Sequence, residues 1–116
     1  MKLEFSKNKV TLVVCPVDMR SGFERLSQIA RTGLGIEVKD GKDIVVFISK
    51  DRKLCKMIHA DLRGTTMIVR RLSDRCFQRI MVEASGPAQK PLSSKQLERY
   101  LDGEDIFVER ENIFKN

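Results

Sequence analysis

Tryptophan is absent from this chain, tyrosine and histidine occur once each, proline three times and cysteine three times. Within its most basic segment the only aromatic residue is Phe77, so stacking on unpaired bases, which needs aromatics interleaved with cations, finds little support. Cys15, Cys55 and Cys76 are odd in number and lack the paired short spacings of a zinc site, and His59 is the one histidine to join them. They read as reduced apolar fillers. No apolar run approaches the roughly 18 to 20 residues that cross a bilayer, and Met1-Lys2-Leu3-Glu4-Phe5 leads into charge instead of the apolar core of a secretory signal. A cytoplasmic protein with no membrane contact is expected. Gly33, Gly35 and Gly64 carry neither the lysine and serine of a phosphate loop nor a dinucleotide fingerprint, and serve as punctuation.

What is present fits one globular domain. The 116 residues are 41% hydrophobic and 33% charged, away from the signature of disorder. A chain of this length supports one core, so residues 1–116 are read as a single domain. Charge is unevenly placed. From Lys50 to Arg79 there are nine bases (Lys50, Arg52, Lys53, Lys56, Arg63, Arg70, Arg71, Arg75, Arg79) against three acids (Asp51, Asp61, Asp74), which accounts for the whole formal net charge of +6. Cations concentrated in this way favour a polyanion through Coulomb attraction and counterion release; the bland counterpart is a solvated face.

Residues 10–17 are rich in β-branched side chains and predict a strand that Pro16 ends or confines to an edge. A helix should follow, started either by Asp18 as N-cap or by a capping box at Ser21 and Glu24. Its apolar stripe is Phe23, Leu26, Ile29 and Ala30, and Gly33 and Gly35 stop it. After a turn at Asp40-Gly41, the unbroken apolar run 44–48 predicts a central strand covered on both faces. Residues 54–60 and 65–72 flank Asp61-Leu62-Arg63-Gly64 and read as an antiparallel hairpin, with glycine supplying a positive φ. A shorter strand at 77–82 would extend the meander. Residues 85–91 read as a breaker-rich loop, and Ser93 or Ser94 caps a short helix holding Leu97, Tyr100 and Leu101, ended by Gly103. The class is therefore α+β: a mainly antiparallel meander of four to five strands, one helix after the first strand and a short C-terminal helix. Residues 102–116 form an acidic and apolar tail, expected to be mobile, whose Phe107 and Phe114 suit docking or self-association.

Catalytic constellations are weak. Cys55 and His59 share one face of a strand but stand ~13 Å apart, too far for direct proton transfer. Asp18, Asp61 and Glu83 are the widely spaced acids near strand ends that a two-metal site would need, yet each has a local explanation as a cap, a turn or a strand exit. No catalytic residue, metal or cofactor is expected.

The order of landmarks resembles the small accessory proteins, often called TnpB, encoded beside the transposase in insertion sequences of the sixty-six type, which are unrelated to the RNA-guided nuclease of the same name. Val17-Asp18-Met19-Arg20-Ser21-Gly22-Phe23-Glu24-Arg25-Leu26 is similar to the family's helix start, with serine at 21 where lysine is usual. Val46-Phe47-Ile48-Ser49-Lys50-Asp51-Arg52-Lys53-Leu54-Cys55-Lys56 resembles its phenylalanine strand, basic turn and lysine-bearing strand. Met67-Ile68-Val69-Arg70-Arg71-Leu72 resembles its lysine-arginine-leucine strand, and Leu92-Ser93, Gln96-Leu97 and Leu101-Asp102-Gly103 its closing helix. Where the family has an aromatic-tryptophan-aspartate-glycine hairpin, this chain reads Ile58-His59-Ala60-Asp61-Leu62-Arg63-Gly64. The resemblance implies a non-catalytic helper in transposition that works with transposon DNA, the cognate transposase and the element's other accessory protein. The expected interface is duplex phosphate contact through Lys50, Arg52, Lys53, Lys56, Arg70 and Arg71, joined by Arg20. The alternative is a protein interaction module or homodimeric adaptor without direct DNA binding.

Overall fold

The computed structural model describes residues 8–13, 17–80 and 89–106. Its elements are β1 (Lys9–Val13), α1 (Phe23–Leu34), a 3-10 turn (Val38–Asp40), β2 (Asp43–Ile48), β3 (Leu54–Asp61), β4 (Gly64–Arg71), β5 (Gln89–Leu92) and α2 (Ser94–Leu101). The strands form one sheet in the order β4-β3-β2-β1-β5. β1 and β2 run parallel, with α1 in the crossover between them, and the other three pairings are antiparallel. The class is α+β, as its patterning predicts, with β2 in the middle.

Every residue from Ile44 to Ile48 is buried. Alternation sends Val45 and Phe47 to one face, where Leu26 and Ala30 of α1 pack with Val38, Ile58 and Ala60. Ile44, Val46 and Ile48 go to the other face, against Leu97 and Tyr100 of α2 together with Phe77. The stripe read for α1 is thus its inward face. Gly35 ends the helix at φ 69°, the left-handed conformation that glycine adopts without a Cβ penalty.

Local signals misplace three features. The N-cap of α1 is Gly22, with no side-chain cap, because Asp18 is already engaged by Arg20. Gly64 is not among the positive-φ residues; the hairpin turn is held by Asp61 Oδ1, which accepts from the amides of Arg63 at 2.8 Å and Gly64 at 3.0 Å. Residues 77–80 form no strand, while 81 and 82 lie outside the described residues, as do Cys15, Pro16, Glu83, Phe107 and Phe114. Phe77 is wholly buried instead, stacked on Tyr100 with ring centroids 5.5 Å apart. The fifth strand is β5, which overlaps the end of the stretch 85–91 that reads as a loop. Pro91 is accepted there because β5 is an edge strand, where a missing N–H need not serve a second neighbour.

Of the two serines expected to cap α2, Ser93 does so, and in a capping box: Ser93 Oγ accepts from the Gln96 amide at 3.1 Å, and Gln96 Oε1 accepts from the Ser93 amide at 2.9 Å. It ends at a joint that only glycine fits. Gly103 has φ 79°, and a Cβ there would lie 2.5 Å from Arg75 Cδ and 3.1 Å from Leu72 Cδ1. Gly103→Ala should therefore lower stability by about 1 to 2 kcal/mol from the backbone conformation alone, measured by urea denaturation. Ser93→Ala should cost about 1 kcal/mol.

Candidate nucleic-acid interface

The basic turn between β2 and β3 is held by its own short polar side chains. Asp51 Oδ1 accepts from the Ser49 hydroxyl at 2.6 Å and from the Lys53 amide at 3.1 Å. Ser49 Oγ in turn accepts from the Leu54 amide at 3.1 Å. The Ser49 hydroxyl, then the Lys53 amide, hold the Asp51 carboxyl below its ordinary range. Arg52 sits at φ 59°, the one non-glycine residue in the left-handed region among the described residues. Lys50 and Lys53 are thus exposed on a fixed loop, with Arg52 half-buried between them.

A second segment is strapped to this turn. The Leu72 amide donates to the Lys53 carbonyl at 2.9 Å, and the Phe77 amide to the Arg52 carbonyl at 2.6 Å. The strap brings Arg71 and Arg75 to the end of the sheet that carries the turn, and Arg71 is close enough to favour the charged form of Asp51. Five cations (Lys50, Arg52, Lys53, Arg71, Arg75) therefore meet two carboxylates there (Asp51, Asp74), with Arg75 Nε 3.9 Å from Asp74 Oδ1. Arg75 is the residue that a strand-by-strand reading misses. It belongs to the basic segment, yet its placement depends on the Leu72 and Phe77 straps, which leave no mark in the sequence.

The other three expected contact residues are engaged elsewhere. Lys56 lies on the α1 face between Phe47 and Val69, only 9% exposed, and its Nζ donates to the Ser21 carbonyl at 2.8 Å. Arg70 points to the opposite, α2 face, where its Nε donates to the Leu101 carbonyl at 3.0 Å and its Nη2 lies 3.5 Å from Asp102 Oδ1. That places a cation on the C-terminal carbonyls of α2, where the helix dipole favours it. Arg20 forks onto Asp18, with Nε and Nη2 within 3.2 Å of the carboxylate oxygens, and the Arg20 amide donates to Asp18 Oδ1 at 2.9 Å. The guanidinium hydrogen bonds, followed by that amide, hold the Asp18 carboxyl down at about 2.

Among the described residues the candidate catalytic groups do not gather. Cys55 and His59 lie on the same face of β3, as their spacing requires; burial pushes the Cys55 thiol up to about 12, the range of an inert core cysteine. His59 Nε2 lies 3.3 Å from Asn8 Nδ2. Among the described residues no three histidine, cysteine or acidic side chains converge to hold a metal ion, and no helix is long and apolar enough to cross a membrane.

A family model described as IS66 Orf2 like protein matches residues 8–111. The chain belongs to this family. It is therefore an accessory protein of the insertion-sequence kind, associated with the transposition machinery. No curated protein and no solved structure matches. In this family member the aspartate-methionine-arginine motif is a folded clamp: the Val17 amide donates to the Ile48 carbonyl at 3.4 Å, Met19 packs on the α1-side core, and Lys56 holds the Ser21 carbonyl.

The clamp has a direct readout. Asp18 should titrate near pH 2 in the folded chain, and Arg20→Ala should return it toward 3.8, followed by carboxyl carbon chemical shifts in an NMR pH titration. Since folding depresses this pKa, any stability the pair contributes is present above pH ~4 and is lost as pH falls toward 2. For Arg70, replacement by alanine should cost about 1 kcal/mol of stability in urea titrations, most of it through the end of α2.

Proposed function

We propose that this family member is a non-catalytic accessory protein of transposition that grips duplex DNA by its phosphates, beside the cognate transposase. The observation that carries the reading is the gathering of Lys50, Arg52, Lys53, Arg71 and Arg75 at one end of the sheet, five cations beside the carboxylates of Asp51 and Asp74. Ammonium and guanidinium groups on and beside a fixed turn favour phosphate oxygens, while the scarcity of aromatics leaves bases without stacking partners. Lys56, Arg70 and Arg20 have structural partners instead: buried Lys56 ties down the Asp18–Arg20 clamp, and Arg70 holds the end of α2. The contact set is accordingly Lys50, Arg52, Lys53 and Arg71, with Arg75 at its margin.

A second reading, docking of a protein partner, draws on the groove of about 420 Å³ beside α2, whose apolar floor is rimmed by Arg70, Glu98 and Asp102. The two readings differ in their response to salt. If four cations meet phosphates, log affinity for a duplex should fall against log salt with a slope of roughly −3 to −4, measured by fluorescence anisotropy. Lys53→Glu with Arg71→Glu should weaken binding at least about a hundredfold at low salt and flatten the slope by roughly 2. Arg52→Gly is a cleaner probe, since glycine suits φ 59° and the variant removes charge without straining the fold. Duplex binding unaltered in both variants would sink the phosphate reading and leave the protein partner.

A further inference from the structure

We propose that β4 joins two copies of this chain by antiparallel strand addition, about a two-fold axis through Ile68. The two edges of the sheet differ sharply. β5 is four residues long and contains Pro91, whereas β4 is eight residues long and contains none. β4 pairs with β3 residue for residue from Gly64 to Arg71, so no bulge bends it away. Proline, bulges and short length are the usual guards of an exposed edge, and β4 has none of them.

Its backbone is turned for pairing. The Leu72 amide donates inward to Lys53, and antiparallel alternation therefore directs the backbone groups of Thr65, Met67, Val69 and Arg71 away from β3. The side chains at the middle of this row, Met67 and Val69, are 38% and 52% exposed.

Apolar pairing and charge together select the register, since a centre one residue later would set each Met67 against an arginine, Arg71. In a continuous sheet a two-fold axis normal to it keeps each face on its own side, so facing residues share parity. Centring on Ile68 sets Met67 against the second copy's Val69, twice, and sets each Arg71 against a threonine, Thr65. A centre one residue earlier would set Arg71 against Arg63, a like-charge pair. On the α2 face, Ile68 meets its counterpart beside the groove whose apolar lining includes Cys55, Met57 and Leu101, and extends that floor. Self-pairing thus covers the exposed apolar residues of the strand and leaves its arginines at the two ends. A strand pair alone buries less than a standard interface, so the dimer is weak and concentration-dependent.

Sedimentation velocity on the full chain, without DNA, tests this independently of the phosphate reading. The expected result is a reversible monomer–dimer equilibrium with a dissociation constant of roughly 10 µM to 1 mM. Met67→Lys with Val69→Lys changes exposed positions only, and should weaken the dimer at least about tenfold with an unaltered far-ultraviolet spectrum. Thr65→Glu, facing Arg71, should tighten it roughly fivefold. Ile68→Cys should give a disulfide-linked dimer under mild oxidation above the level of the unsubstituted chain. A monomer at millimolar concentration, or a dimer indifferent to the double lysine variant, overturns the proposal. A dimer in which Ile68→Cys adds no cross-link overturns the register.

Discussion

The strand Ile44–Ile48 has no polar side, and that constraint organises the molecule. Leaving either face of β2 in water would expose at least two large apolar side chains, at about 25 cal/mol for every Å² of apolar surface. Two covers are required, and the chain supplies α1 from before the strand and α2 from far beyond it. The parallel pairing of β1 and β2 follows from the same need, because a helical crossover between two strands sets its helix on one sheet face and returns the chain in the original direction. α2 must then reach the other face from the C-terminal side. It is fixed there by the Ser93 cap at one end and by Gly103 and Arg70 at the other.

Local chemistry was readable wherever the residue and its consequence are neighbours. The serine cap of α2, the Gly35 stop, the apolar run of β2 and the hairpin around Asp61 all act over a few positions, and each appears near its expected place. The misreadings share a cause. Asp18 looks like a helix cap until Arg20, two residues on, takes its carboxylate, and Pro91 looks like a breaker until its strand proves to be an edge. Phe77 resembles a strand residue because burial in a core and burial in a sheet leave the same mark on a sequence.

The contact surface was legible as a quantity of charge and illegible as a geometry. Arg70 and Arg71 are adjacent, so alternation alone says that they point apart, but not that the first meets a carbonyl 31 residues away. Lys56 reads as one more cation in a basic turn and strand, yet it bonds across 35 residues to the Ser21 carbonyl. Arg75 looks like loop filler and arrives at the basic end through two backbone hydrogen bonds. Fewer side chains face outward together than the segment's charge suggests, and those that do are mounted on a turn with little freedom.

Arg52 carries a consequence of its own. A left-handed residue with a side chain costs the native state about 1 kcal/mol relative to glycine, and here the side chain ends in a guanidinium while the residue's backbone carbonyl accepts from the Phe77 amide. The turn between β2 and β3 is thereby a place where conformational comfort and charge compete. Glycine at this single position would make the protein sturdier while removing a cation from the turn, so arginine there is a compromise between durability and charge.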